Sequence, residues 1–152
     1  MSLLESIMCR DLVVADGSES VDAAVQRLNG RDVGALLVVR EGKLVGILSE
    51  RDVLRRVVAP GLDSAQIEVR TVATPQPIAV ARETSLKECV RLIREHGFRH
   101  LPIVDDDRHP IGIISSRDLL QFTVRGLEGY VEHQRTELHR EELTDPYDSI
   151  PL

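Results

Sequence analysis

The 152-residue chain has no tryptophan and only two tyrosines and two phenylalanines, so aromatics make up 3% of it. Its core must come from Val, Ile, Leu and Ala, which suits β-branched strands packed under Ala/Leu helices. Cys9 and Cys89 are the only cysteines, too few for a disulfide scaffold, and a reduced, cytoplasmic setting is the expectation. No apolar run approaches the roughly 18 residues that cross a bilayer, so no membrane span is expected. The start, MSLLESIMCRDL, lacks the charged beginning and apolar stretch of a signal peptide. Positive charge is also in deficit. The formal net charge is −6, and Arg125 to Leu152 holds seven acids against three arginines. No basic face that tracks a phosphate backbone is evident, which argues against nucleic acid as a partner.

What is present repeats itself. Gly46-Ile47-Leu48-Ser49-Glu50-Arg51-Asp52-Val53-Leu54 recurs 66 residues later as Gly112-Ile113-Ile114-Ser115-Ser116-Arg117-Asp118-Leu119-Leu120. Upstream, Ser20-Val21 matches Ser85-Leu86 at an offset of 65, and one residue inserted near His96-Gly97 accounts for the change. The periodicities order each unit. Strands are predicted at residues 12–15, 35–39 and 44–48, with helices at 18–29 and 51–58. The second unit predicts strands at 78–81, 101–104 and 111–114, a helix at 85–95 and another from Ser116. Val21, Ala24, Val25 and Leu28 have the spacing of one buried helix face, with Ser18 or Ser20 as its cap.

The order is β-α-β-β-α, twice, an α/β (α+β) fold in which two small units must pack together to bury their sheets. The expected division is repeat 1 over residues 1–59, a linker over 60–70, repeat 2 over 71–124 and an acidic tail over 125–152. In that tail Val124, Leu127, Val131 and Leu138 predict a helix with one apolar stripe, ended by Asp145-Pro146. It serves either as a dimerisation or partner helix, or as a helix docked on its own domain.

The repeated motif sets a Ser hydroxyl and an Asp carboxylate three residues apart, where a strand hands over to a helix. Ser can donate to or accept from a ligand oxygen, and an ionised Asp suits vicinal hydroxyls. The helix N-terminus offers free N–H groups and partial positive charge to phosphate, and Arg51 or Arg117 adds a cation. Together these fit a ribose phosphate. The competing reading is that Ser and Asp only cap the helix, as they commonly do.

On these residues, and on Arg99-His100-Leu101-Pro102-Ile103-Val104-Asp105, the chain resembles a tandem cystathionine-β-synthase (CBS) domain pair, or Bateman module, over roughly residues 4–123. The resemblance implies a regulatory module that binds AMP, ADP, ATP or a related adenosyl ligand in clefts built across the two repeats, with no other cofactor required. It also implies a homodimer. One site would comprise Ser49, Arg51 and Asp52 with Thr74, Pro77, Ile78, Ala79, Phe98, Arg99 and His100. The other would comprise Ser115, Arg117 and Asp118 with Cys9, Leu12, Val14, Asp32, Val33 and Gly34.

The two sites are unequal. Arg51, Arg99 and His100 can all face phosphate in the first, whereas Cys9 replaces Thr74 and Leu36 replaces Pro102 in the second. The Asp118 site is therefore expected to be weaker or to prefer a less charged ligand. No nucleophile elbow, Walker loop or G-x-G-x-x-G occurs, and no His, Cys, Asp or Glu group has metal-ligand spacing. The chain is expected not to be an enzyme. The alternative to a sensor is a ligand-free interaction protein acting through its C-terminal helix on an unidentified protein partner.

Overall fold

The computed structural model describes residues 1–31 and 33–142, with side chains placed up to 137. Two compact units are formed, Met1–Ser116 and one that begins at Arg117. In chain order the elements are α1 (Leu3–Ile7), β1 (Val14–Asp16), α2 (Val21–Arg31), β2 (Ala35–Arg40), β3 (Lys43–Ser49) and α3 (Glu50–Val53). A π-helical turn, Leu54–Val58, continues α3. There follow α4 (Val69–Val72), β4 (Thr74–Pro75), β5 (Val80–Ala81), α5 (Leu86–His96), β6 (His100–Val104), β7 (Pro110–Ser115) and α6 (Ser116–Glu142).

The expected β-α-β-β-α pattern is present in both repeats. Val21, Ala24 and Leu28 form the buried face of α2. Ser20 rather than Ser18 caps it, its hydroxyl accepting from Ala23 N at 3.2 Å. Ser18 instead donates to Asp16. The offset stays at 65 through α5 and β6, where Leu101 pairs with Ile114 as Leu36 does with Leu48, and becomes 66 only at β7. The inserted residue therefore lies in the β6–β7 turn rather than near His96-Gly97, and Leu37, not Leu36, stands where repeat 2 has Pro102. Gly97 closes α5 at φ 70° with its N–H on Ile93 O. Only glycine adopts that left-handed conformation without cost.

One sheet has the order β1-β2-β3-β4 and the other β5-β6-β7. In each the first pairing is parallel and the rest are antiparallel. Alternation along β2 splits its side chains between two cores. Leu36 and Val38 join Val21, Ala24 and Leu28 under the helices. Leu37 points the other way and, with Leu44, meets Val104 of the second repeat, flanked by Ala79 and Ile113. Four consecutive apolar residues in β2 are thus required by two opposed packing faces.

The periodicities did not reveal the lead segments. Helical turns α1 and α4 stand 65 residues apart, with Leu4 and Val69 equivalent and both buried. Each precedes its own repeat but lies on the other one. Val69 N and Arg70 N donate to Glu19 O and Gly17 O of repeat 1. In the reverse direction, Ser2 Oγ donates to Arg82 O of repeat 2 at 2.9 Å. The chain then adds an edge: Thr74 pairs with Ile47, and Cys9 pairs with Ile113. Residues 60–70, expected as a linker, therefore include the first two residues of α4. Part of the same stretch is tied to the start of α2, through Val21 N to Ile67 O and Asp22 N to Ser64 O. Four- and five-residue helical turns are too short for a periodicity to reveal.

The exchange explains the repeated glycine. A Cβ on Gly46 would lie 3.2 Å from the Thr74 carbonyl oxygen and from Val38 Cβ. On Gly112 it would lie 2.5 Å from Met8 Sδ and 3.1 Å from its Cγ. The motif glycine makes room for the other repeat's lead segment.

Helix α6 is unbroken for 27 residues, so the last helix of repeat 2 and the helix expected in the tail are one element. Gly126 and Gly129 lie inside it. The expected stop at Asp145-Pro146, the Leu138 side chain and Asp32 lie outside the described residues. Among the described residues no helix is long and apolar enough to cross a membrane.

These packing constraints have opposite consequences at different glycines. Gly46→Val or Gly112→Val should destabilise the fold by about 1–3 kcal/mol through overpacking. Gly30→Ala, with nothing within 4 Å of the new methyl, should stabilise α2 by roughly 0.5–1 kcal/mol. Urea denaturation of the three variants measures both signs.

Candidate functional site

Ser49 ends β3 and caps α3, and the motif closes on itself. Asp52 N donates to Ser49 Oγ at 3.2 Å, while Ser49 N and Ser49 Oγ each donate to Asp52 Oδ2 at 2.9 Å. This is a capping box with Asp in the place usually taken by Glu. The capping role expected for such a pair is realised, and it orients the carboxylate as well. One oxygen, Oδ2, is committed to the box. The other, Oδ1, faces Arg56 Nη2 at 3.4 Å.

Arg56 is the residue that the sequence reading missed. Its Nη1 donates to Val72 O at 2.7 Å and to Thr74 Oγ1 at 3.3 Å. One guanidinium therefore joins the Asp52 carboxylate of repeat 1 to the lead segment of repeat 2. The i, i+4 spacing from Asp52 was the available signal, but Arg55 and Arg56 are adjacent and the motif drew attention to Arg51. Arg51 itself is exposed and stands outside this network.

The other residues of the first expected site approach from two directions. Thr74 is fixed opposite Ile47, two residues before Ser49. Beyond it Pro77 is buried, Ile78 is 39% exposed and Ala79 packs on the inter-sheet core. Phe98 is half-buried and stacks on His96, ring centroids 5.6 Å apart. Arg99 is exposed, and its carbonyl accepts from Ser116 N at 2.9 Å. His100 reaches Gly34, where a Cβ would meet its ring at 3.3 Å. Gly34 O accepts from Glu50 N at 3.0 Å, the counterpart of the Arg99 contact. The segments before β2 and β6 therefore meet, next to the two Ser-bearing strand ends.

For the second expected site, Ser115 pairs across β7 with His100. Cys9 is held opposite Ile113, the register equivalent to Thr74 on Ile47. Leu12 and Val14 line a shallow groove of about 390 Å³ with Arg27 and Arg31. Val33 is half-buried. Arg117 and Asp118 lie in the first turn of α6. The residue 66 positions after Arg56 is Phe122, and Cys9 replaces Thr74. An Arg–Thr bridge of the kind in the first site has neither partner here. Cys89 is a core residue whose thiol burial pushes to higher pKa, which makes it a poor nucleophile.

Two repeats that exchange their lead segments, each ending a strand in a Ser-x-x-Asp turn, define a tandem-repeat module. Residues 4–59 and 69–125 each match the CBS domain, and the chain belongs to the CBS domain family. The CBS domain-containing protein CBSX3, mitochondrial, of Arabidopsis thaliana is 33% identical over 141 residues, covering 85% of this chain and 62% of that protein. An uncharacterized protein of Methanopyrus kandleri is 30% identical over 113 residues, 74% of this chain and 58% of its own length. The chain thus spans about three fifths of these relatives. Among solved structures, the CBS domain NE2398 is 31% identical with a TM-score of 0.74, covering 82% of this chain and 99% of that one. CBSX2 in complex with AMP is 27% identical with a TM-score of 0.71, covering 82% and 98%.

The capping box and the arginine bridge should separate by mutation. Ser49→Ala should cost about 1 kcal/mol as a lost cap. Arg56→Met should cost about 0.5–1.5 kcal/mol as lost hydrogen bonds. Because both touch Asp52, the double variant should deviate from additivity in a denaturation cycle.

Proposed function

We propose that the chain is a regulatory, non-catalytic module that binds an adenosine nucleotide (AMP, ADP or ATP, or a related adenosyl compound) in the cleft at Ser49 and Asp52. The observation that carries this reading is the Asp52–Arg56–Thr74 bridge, which puts an ionised acceptor and a cationic fork at the junction of both repeats. A ribose diol would bond Asp52 Oδ1, and Arg56 with Arg99 and His100 would take phosphate. Phe98, Ile78 and Pro77 would supply apolar surface for the base. The AMP complex of the related CBSX2 supports the ligand class.

Signalling would follow from competition. A ligand on Asp52 and Arg56 replaces bonds that tether the lead segment of repeat 2, so it changes how the repeats are held. The Asp118 site, with Cys9 and Phe122 in place of Thr74 and Arg56, would bind more weakly or take a less charged ligand. A homodimer in the cytoplasm, where both thiols stay free, suits this role.

A second reading rests on α6, where Leu120, Val124, Leu127 and Val131 form a stripe at i, i+4, i+7, i+11 and are 63%, 43%, 60% and 56% exposed. Such a stripe suits a helix that pairs with a second copy or a protein partner.

Thermal unfolding with AMP, ADP, ATP, NADH and S-adenosylmethionine distinguishes the two. Ligand at about 100 times its dissociation constant should add roughly 2.7 kcal/mol. At about 2–4 °C per kcal/mol, that is a shift of about 5–10 °C. The shift should vanish in Asp52→Ala, compared with that variant's own unliganded Tm. A flat panel, together with a self-association state lost in Leu127→Lys, would favour the interaction reading.

A further inference from the structure

A cleft of about 670 Å³ lies away from Asp52, where the α4–β4 segment crosses the end of the first sheet. Arg40 and Lys43 come from the β2–β3 hairpin, Arg70 from α4 and Arg108 from the β6–β7 turn, and all four line it. These cations are scattered over 69 positions of sequence, which is why no basic stretch marks them. Arg70 is paired with Glu68, whereas Arg40, Lys43 and Arg108 form no ion pair among the described residues. The one carboxylate in the described lining, Asp16, is held ionised by the Ser18 hydroxyl at 2.6 Å and amide at 2.9 Å and by the charges of Arg40 and Arg70, so a single negative charge stands against four cations. Apolar side chains of Val38, Val39 and Leu44 complete the lining, and the volume is that of a small-molecule pocket.

The fold does not require this charge. The positions 65 residues away from Arg40, Arg70 and Ser18 are Asp105, Glu5 and Glu83. The cations at 40 and 70 are therefore not kept in the other repeat, although the backbone plan is the same. Gathering three unpaired cations costs stability through mutual repulsion, and a bound anion removes that cost. Arg forks match phosphate oxygens bidentately, and lysine adds a point charge.

We infer that this cleft binds the polyphosphoryl group of a small molecule, with Arg40, Lys43, Arg70 and Arg108 on the phosphates. The site shares Pro77 with the proposed nucleotide site, but its lining contains neither Ser49, Asp52 nor Arg56, and its cations do not rest on that reading. Two sources share this chemistry, inorganic polyphosphate and the triphosphate of a nucleotide.

The test is calorimetric titration of the full chain with tripolyphosphate, pyrophosphate and ATP, each against sodium chloride of equal ionic strength. The variant is Arg40→Gln/Lys43→Gln/Arg108→Asn, in which Asn accommodates the φ of 66° at position 108. All three side chains are exposed, so the fold should survive, and circular dichroism checks that. The single variant Lys43→Gln guards against a misfolded triple. Tripolyphosphate should bind wild type and Asp52→Ala alike, and the triple variant should weaken it by about tenfold or more. If ATP competes for the same sites in Asp52→Ala, the source is a nucleotide; if only tripolyphosphate binds there, it is free polyphosphate. No heat above the salt control, or wild-type affinity in the folded triple variant, overturns the proposal. Loss of tripolyphosphate binding in Asp52→Ala alone would overturn it too, and would leave the Asp52 reading standing.

Discussion

The exchange of lead segments is the constraint on which the rest of this structure depends. An antiparallel pair left at the edge of a three-stranded sheet exposes unpaired amides. Each repeat covers the edge of the other, with Thr74 on Ile47 and Cys9 on Ile113. Because the covering segment passes directly over β3 or β7, the residue beneath it must lack a side chain. That is the physical content of the glycine that begins each repeated motif. The same crossing brings Thr74 within reach of Arg56, so one geometric requirement organises both the packing and the candidate site.

The repeat was legible because both copies keep the same residues at chemically demanding positions: Gly for the crossing, Ser and Asp for the cap, alternating Ile and Leu for the strand. Strand β2 was legible as an apolar run, though the reason for the run, two opposed cores, needs the second sheet to be seen. The exchange itself was not legible. Which repeat a lead segment covers depends on long-range contacts such as Thr74 with Ile47 and Cys9 with Ile113, and α1 and α4 are too short to carry a period. The continuity of α6 was missed because the acidic tail was divided from repeat 2 at residues 124 and 125, while Gly126 and Gly129 sit inside the helix without a left-handed φ.

The site shows how far a motif can be taken. Ser49 and Asp52 were singled out for ligand chemistry and are found satisfying each other. This need not compete with binding, since a carboxylate has about four acceptor positions and the capping box engages one oxygen. What the motif could not indicate is the partner that makes the pair more than a cap. Arg56 lies outside the repeated pattern, and its equivalent is Phe122. Identical motifs in the two halves are therefore surrounded by different chemistry.

That asymmetry bears on how a ligand could act at all. A ligand shifts an equilibrium only by its differential affinity for two states, so a site that binds without changing any existing contact transmits nothing. In the first half the contacts to be changed are explicit: Asp52 to Arg56, and Arg56 to Val72 and Thr74. They join the Ser49–Asp52 turn to the segment that closes the neighbouring sheet edge. In the second half Cys9 occupies the covering position through its backbone pairing with Ile113, and Phe122 brings no donor. The two halves share a backbone plan, but where the first has an arginine, Arg56, between its Ser-x-x-Asp turn and the exchanged segment, the second has Phe122.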